Sequence, residues 1–288
     1  MGFLYSLGFR RFRQSFAYGV LWLAATVSVA IMLFVVGYVI IRGFADITLD
    51  FFTTSPRGGL SGEGGIYSTI VTTLYLVLVT IAIATPLGVG AAVFLVEYAE
   101  HIKSRTIQKL VGLARFGVET LAGVPSIIFG LFGYALFVTA LNLGFSIIAA
   151  ALAGVCLVIP VVIRTTEEAL KSVPDSYREG SLSLGASRWE TIRKVILPSA
   201  LPGISTGIIL SVGRIVSETA IFYVTLGGSY RTPTSLLSSG RTMALHVYYL
   251  AMETRAFDKA MATGAVLVAL IVVLNLIINS VSKKLSAE

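Results

Sequence analysis

The sequence predicts an all-α integral membrane protein with six transmembrane helices, and three observations carry this prediction. Of the 288 residues, 56% are hydrophobic and only 13% are charged, with a mean hydropathy of +0.87, whereas soluble domains carry roughly 25% charged residues. Six apolar runs reach or approach the ~20 residues that a helix needs to cross the hydrocarbon of a bilayer. The runs do not alternate between polar and apolar residues as the strands of a membrane barrel do.

The first run follows three arginines and is longer than the ~7–15-residue apolar core of a secretory signal, so it predicts a retained span. Pro86, Pro125 and Pro160 are expected to bend the second, third and fourth runs. Leu141–Gly144 is so short that the third and fourth spans must form a tight hairpin. The six runs cover Tyr18–Ile41, Ile66–Val96, Val118–Ala140, Phe145–Ile163, Leu201–Val224 and Met261–Ser280.

The distribution of basic residues predicts the orientation of the chain. Six spans place both termini on one side, and fifteen of the 22 Lys and Arg residues fall in segments on that side, against six in the opposite loops. The positive-inside bias assigns that side to the cytoplasm. Residues 1–17 are then a cytoplasmic N-terminal segment, and residues 18–288 are one six-helix transmembrane domain whose segment 164–199 is cytoplasmic. Most of the net charge of +7 is topological, so it does not predict binding to nucleic acid.

No motif predicts a cofactor or bond chemistry. The sequence contains no G-x-x-x-x-G-K-[ST] loop for nucleotide phosphates, and His101 and His246 fall in different loops without the spacing of metal ligands. No candidate catalytic triad or paired acid/base carboxylates are present. We therefore expect no cofactor, no metal and no enzymatic activity, and any ATP-driven work must belong to another subunit.

The segment between the fourth and fifth runs is polar and much longer than a turn. Ser176 with Glu179, and Ser187 with Glu190, are capping boxes that predict two short helices. Gly185 lies between them, where a helix can end in a left-handed conformation at little steric cost. The residues alone leave two interpretations open, an amphipathic loop on the lipid headgroups or a docking surface for a soluble partner. The apolar side chains available for packing are Tyr177, Leu182, Leu184 and Trp189.

The pattern Glu179-x-x-x-x-x-Gly185, followed by Val195-x-Leu197-Pro198, resembles the signature of ABC importer permeases, whose coupling helix fits a groove on the ATPase. Glycine and serine replace the usual alanine pair after the glutamate, which keeps these positions small. The resemblance implies that this segment transmits ATP-driven closure of a partner dimer to the spans. The residues implied in this coupling are Tyr177, Glu179, Gly180, Ser181, Leu182, Gly185 and Ala186.

A pair of charged residues lies within the fifth run. Arg214 and Glu218 are four residues apart, so on one helix they project from the same face. A central Arg costs ~2.5–3.5 kcal/mol, and an i,i+4 pair returns only ~0.2–0.5 kcal/mol, so we expect the pair to face a polar cavity or another subunit. Two roles remain open, a buried ion pair that fixes helix packing, or anion binding by the guanidinium fork. Ser211, Ser217 and Thr219 are candidate hydroxyl donors.

The stretches at 118–133, 164–168, 201–208 and 213–220 resemble the permease subunits of phosphate ABC importers and favour the PstA type. The resemblance implies the type I, MetI-like permease fold, with Arg214 and Glu218 on the phosphate path. Arg164 matches another basic residue of that family, although anchoring by the positive-inside bias explains it equally. Glu119 is interpreted as an interfacial or N-terminal helix charge in preference to a substrate role.

The resemblance also implies the partners of the chain. These are a second permease of the PstC type, an ATPase dimer of the PstB type and an external phosphate-binding protein of the PstS type. The complex is expected in the cytoplasmic (inner) cell membrane. Two alternatives stay open, a permease for another oxyanion such as sulfate or molybdate, and a secondary transporter driven by an ion gradient.

Overall fold

The computed structural model describes residues 2–57, 63–99, 102 and 104–287, with side chains described from residue 13 to residue 284. In this part of the chain the regular elements are helices, and β-pairing is limited to two isolated bridges. Among the described residues, π-helical turns lie at Phe94–Tyr98, Tyr134–Ala140 and Ile192–Ile196. The α-helices are α1 (Gly2–Phe44), α2 (Leu49–Thr53), α3 (Tyr67–Val93), α4 (Arg105–Ala122), α5 (Ser126–Gly133), α6 (Ile147–Ser172), α7 (Asp175–Ser183), α8 (Arg188–Thr191), α9 (Leu197–Ser217), α10 (Ala220–Thr225), α11 (Met243–Met252) and α12 (Phe257–Ala287).

The prediction of six apolar spans is confirmed. Five helical stretches are long and apolar enough to cross a bilayer, and α4 with its continuation to Ala140 makes the sixth. The chain is therefore a multi-pass membrane protein. Residues 2–17 continue the helix of the first span, because α1 is unbroken from Gly2 to Phe44. The five stretches are Arg13–Phe44, Tyr67–Tyr98, Ile147–Ser172, Arg188–Ser217 and Phe257–Lys284.

The third span is broken. Its two helices, α4 and the stretch from Ser126 to Ala140, meet at 109°, so the predicted bend within Val118–Ala140 is a sharp corner. Pro125 has no backbone N–H and disfavours helical geometry at the residue before it, which ends α4 at Ala122. Pro86 and Pro160, in contrast, lie inside continuous helices.

The fifth span is also broken, and the prediction of one helix over Leu201–Val224 is wrong. Helix α9 ends at Ser217, and Glu218 is extended, with φ −73° and ψ 133°. A new short helix, α10, starts at Ala220 and packs against α5. The broken parts of the third and fifth spans therefore contact each other inside the bundle. Non-helical backbone at membrane depth is tolerated where it is buried in protein or lines a water-filled cavity.

The core of the bundle is formed by α3, α6 and α9. Leu76, Val158 and Ile215, one from each helix, are buried in a single apolar cluster. A second cluster, which includes Leu170 and Ile192, lies at the end of the bundle where α7 and α8 are attached. Helix α1 packs along α12 at the outside, and most of its apolar surface is exposed, as expected for a lipid-facing or subunit-facing helix.

Gly207 sets the distance between α9 and α6. A Cβ added there would lie 2.8 Å from Cβ of Thr165 on α6, so a side chain forces the two helices apart. Small residues at such crossings permit the close approach that holds membrane helices together.

We expect Gly207→Ala to lower the thermal stability of the detergent-solubilised protein, since overpacking costs about 1–3 kcal/mol. Gly213→Ala on the same helix is the matched control, because a Cβ there meets no atom within 4 Å. That control should leave the melting temperature unchanged or slightly higher, since alanine is the better helix former. Equal melting temperatures for the two variants would contradict the assigned contact.

Candidate functional site

The polar segment that follows the fourth span is a two-helix elbow, defined here as residues 174–196. Helix α7 starts at Asp175 with Pro174 as its N-cap, so the predicted capping box with Ser176 as N-cap is wrong. Proline fixes the backbone before the first turn and donates no hydrogen bond, and the helix therefore begins two residues earlier than the Ser-x-x-Glu pattern indicates.

The second predicted capping box is confirmed and orients α8. The backbone N–H of Glu190 donates to Oγ of Ser187 at 3.3 Å, and Oε2 of Glu190 accepts the backbone N–H of Ser187 at 3.1 Å. The box satisfies two backbone donors that would otherwise be unpaired at the helix start.

Gly185 makes the corner of the elbow. Its φ is +85°, the left-handed conformation that the sequence predicts and that other residues adopt only with strain. The N–H groups of Leu184, Gly185 and Ala186 then donate to carbonyls of the last turn of α7. These hydrogen bonds close the turn and fix the angle between α7 and α8.

The residues predicted to couple the elbow to a partner lie mostly on its outer surface. Glu179 and Gly180 are exposed, and a Cβ at Gly180 or Gly185 meets nothing within 4 Å. Ser181 differs, because its hydroxyl lies 2.9 Å from the hydroxyl of Thr191 and joins α7 to α8. Ala186 is half-buried. The large apolar side chains are also exposed: Tyr177 by 51%, Leu182 by 48%, Leu184 by 90% and Trp189 by 55%.

The structure adds a buried ion pair that the sequence analysis missed. Arg178 of α7 reaches the end of the second span, where its Nη2 lies 2.8 Å from Oε1 of Glu97. The two side chains are only 19% and 7% exposed. The sequence offered no signal for this pair, because Glu97 stands 81 positions away, just beyond the predicted end of its apolar run.

Within the membrane, the structure separates Arg214 from Glu218. Because α9 ends before Glu218, the two side chains do not share a helix face, and no ion pair within 4.0 Å joins them among the described side chains. Oε1 of Glu218 instead accepts the backbone N–H of Ile221 at 3.3 Å, which satisfies a donor in the first turn of α10. The prediction of an i,i+4 pair is therefore wrong.

Arg214 is exposed on the face of α9 that points away from the core of the chain. Leu210 and Thr206 are exposed one and two turns earlier on the same stripe, whereas Ile215 and Val216 are buried. A cation that faces hydrocarbon is costly. We therefore expect this stripe to face a polar environment that is shared with another subunit.

Two of the predicted hydroxyl donors are used within the helix. The hydroxyl of Ser211 is buried and donates to the carbonyl of Gly207 at 2.8 Å. The hydroxyl of Ser217 donates to the carbonyl of Gly213 at 2.8 Å. Serine hydroxyls in helices commonly bond to the carbonyl four residues earlier, and the prediction that these two face a ligand is not supported by their geometry.

Glu119 and Arg164 line one cavity of about 280 Å³ between α4 and α6. Arg115 and Lys171 also line it. The carboxylate of Glu168 accepts from Nε of Arg164 at 3.3 Å, and both side chains are well exposed. The cavity thus holds charges of both signs and lies at the end of the bundle that carries the elbow.

Arg241, in the segment between α10 and α11, makes a group of polar contacts that the sequence analysis did not single out. Arg241 donates from Nε to the carbonyl of Gly228 at 2.9 Å, and its guanidinium stacks 4.0 Å from the ring centroid of Tyr249. Nη1 lies 3.5 Å from Nδ1 of His246. Burial, and secondly the charge of Arg241, lower the pKa of His246 to about 3, so this imidazole stays neutral. Among the described residues, no group of three or more His, Cys, Asp or Glu is arranged to hold a metal ion.

Comparisons with known proteins agree with the motifs. Residues 105–287 match the family model described as "Binding-protein-dependent transport system inner membrane component". The chain is 35% identical over 283 residues to the "Probable ABC transporter permease protein YqgI" of Bacillus subtilis (strain 168), covering 93% of this chain and 94% of that protein. It is 39% identical over 224 residues to the "Phosphate transport system permease protein PstA 1" of Mycobacterium tuberculosis (strain CDC 1551 / Oshkosh), covering 77% and 71%.

The fold matches a solved importer. A chain of the "bacterial alginate ABC transporter in complex with alginate pentasaccharide-bound periplasmic protein" superposes with a TM-score of 0.69 at 16% identity, covering 95% of this chain and 96% of that chain. At this identity the likeness shows the fold alone, and that fold agrees with the all-α permease fold that the sequence predicts.

Proposed function

The chain belongs to the binding-protein-dependent transport system inner membrane component family, and we propose that it is the PstA-type permease subunit of an ATP-driven phosphate importer. It is a transport subunit rather than an enzyme, and ATP hydrolysis belongs to a separate partner. The observation that carries the proposal is the match of 77% of the chain to a relative named for phosphate transport.

The proposed complex has four kinds of component. A second permease subunit of the PstC type completes the path with this chain, and an ATPase dimer of the PstB type binds the coupling helices. An external phosphate-binding protein of the PstS type delivers the anion. The complex resides in the cytoplasmic (inner) cell membrane, with the elbow and both termini on the cytoplasmic side, as the basic residues favour.

The elbow supports ATP-driven coupling. Its outer surface exposes apolar side chains and two glycines whose small size is required by no contact among the described residues. Such a surface fits a partner that packs closely on it. We assign ATPase contact to Tyr177, Glu179, Gly180, Leu182, Gly185 and Ala186, with Ser181 holding α7 on α8.

The exposed stripe of α9 supports an anion path. Arg214 is permanently charged, and its planar fork of donors suits phosphate. Glu218 holds the start of α10 instead of neutralising Arg214. In this proposal Arg214 meets phosphate, and Glu218 shapes the path by fixing the break between α9 and α10.

The proposed function is tested with the complete complex in sealed vesicles, using radiolabelled phosphate. Uptake should require ATP and the binding protein, and it should persist when ionophores collapse all ion gradients. Uptake that needs a gradient and no ATP would identify a secondary transporter. ATP-driven uptake of sulfate or molybdate in place of phosphate would identify the chain as a permease for another oxyanion.

We expect Gly185→Asp to uncouple the complex, so that spans still insert but phosphate uptake is lost. The left-handed corner costs a non-glycine residue about 1–2 kcal/mol, and the new carboxylate faces the partner. The measurement is ATP hydrolysed per phosphate imported. Ser183→Ala, at an exposed position of α7, is the control, because no coupling role is assigned to that residue, and uptake should be preserved. Wild-type uptake by Gly185→Asp would refute the coupling role, and Glu179→Leu provides a second, independent variant.

We expect Arg214→Gln to reduce the rate of phosphate uptake about tenfold or more, since hydrogen bonds to charged groups are worth about 1.5–3 kcal/mol. Arg214→Lys keeps the charge but loses the planar fork of donors, so its rate of phosphate uptake should lie between the rates of Arg214→Gln and the wild type. Thr206→Val, on the same exposed stripe, is the control and should transport at the wild-type rate. Normal phosphate uptake by Arg214→Gln would contradict the proposed contact of this side chain with phosphate.

A further inference from the structure

Arg178 joins the elbow to the rest of the molecule through its whole guanidinium. Nη2 and Nε both donate to Glu97, at 2.8 Å and 3.2 Å to the same oxygen. Nη2 also donates to the carbonyl of Leu170, and Nη1 donates to the carbonyl of Val173, each at 2.9 Å. The same Nη1 lies 3.2 Å from the carboxylate of Asp175. A guanidinium held by this many partners has one orientation, so α7 cannot move without displacing Glu97.

The contact falls on a π-helical turn that receives three arginines. Glu97 belongs to the turn Phe94–Tyr98, which ends the second span. Arg115 of α4 donates to the carbonyl of Leu95 in that turn at 3.0 Å, and Arg188 of α8 lies 5.9 Å from the ring centroid of Tyr98. Three helices therefore converge on five residues. Single π-turns inside helices occur frequently at functional sites.

A second link leads from α7 to the fifth span. The hydroxyls of Ser181 and Thr191 are 2.9 Å apart, and Thr191 immediately precedes the π-helical turn Ile192–Ile196. That turn continues directly into α9, which carries Arg214. Both polar links of α7 thus end at, or next to, an irregular turn at the end of a span.

We propose that Arg178 and Glu97 form the link through which displacement of α7 moves the second span, with Ser181 and Thr191 linking α7 to the fifth. The inference rests on the proposed coupling function of the elbow. Arg178 is a positioning residue, because it acts through Glu97 and not on the transported anion. An ion pair that served stability alone would leave the ratio of ATP hydrolysed to phosphate imported unchanged, because both activities would scale with the amount of assembled complex.

The first test uses the complete complex in vesicles and the variants Arg178→Gln, Glu97→Gln and the double variant. Uptake per assembled complex should fall about tenfold, which corresponds to about 1.4 kcal/mol, while ATP hydrolysis continues. The double variant should be no worse than either single one, since both remove the same link. Lys194→Gln is the matched control, because its ion pair with Glu190 is exposed, with the lysine 70% exposed. An unchanged ratio of ATP to phosphate in the three variants would overturn the proposal.

The second test is independent of the transported anion. Spin labels at Ser176→Cys on α7 and Leu87→Cys on α3, in a Cys156→Ala background, report the distance between the elbow and the second span in the complex. With the link intact, the distance distribution should stay narrow and unchanged when ATP is added. In Glu97→Gln, ATP should shift or broaden it. Identical distance distributions in both proteins would contradict the link. A shift in the Glu97→Gln protein, in a complex that does not import phosphate, would support the link and contradict the assignment of phosphate as the substrate.

Discussion

The buried contact of Arg178 with Glu97 determines where the elbow sits on the bundle. Breaking such a pair by removing one partner is strongly destabilising, because a buried charge is left uncompensated. The same guanidinium also donates to the carbonyls of Leu170 and Val173 at the C-terminal end of α6, where helix carbonyls lack the partners that a following turn would supply. One side chain therefore fixes the end of the fourth span, the start of α7 and the end of the second span relative to one another.

The surroundings of the charged side chains differ between the elbow and the C-terminal end of α9. At the elbow, the cation is buried and neutralised by Glu97. At the C-terminal end of α9, Arg214 is exposed, and the nearby Glu218 accepts a hydrogen bond from the backbone of α10. A buried, neutralised pair is suited to holding helices together. Arg214 pairs with no carboxylate among the described side chains, so in the proposed complex its guanidinium would attract anions to the face of α9 where a second subunit closes the path.

The sequence predicted the spans and the corner of the elbow, because both depend on local rules. Span length follows from the thickness of the hydrocarbon, and the turn at Gly185 follows from the steric cost of positive φ. The break at Glu218 was missed because the residues from Arg214 to Glu218 contain no proline or glycine, so nothing local stops the helix. That break depends on packing of α10 against α5, far away in the sequence. The pairing of Glu97 with Arg178 was missed for the same reason.

Exposure on the elbow argues for a protein partner over lipid headgroups. An amphipathic segment lying on a membrane has one apolar face and one polar face. Here the apolar side chains of Leu184 and Trp189 accompany an exposed Glu179 and Gly180, and the corner at Gly185 turns α7 away from the line of α8. Anionic headgroups would repel Glu179 and gain nothing from a glycine without a side chain. A protein groove benefits from both, because a missing Cβ allows close backbone approach and a carboxylate offers a directional acceptor.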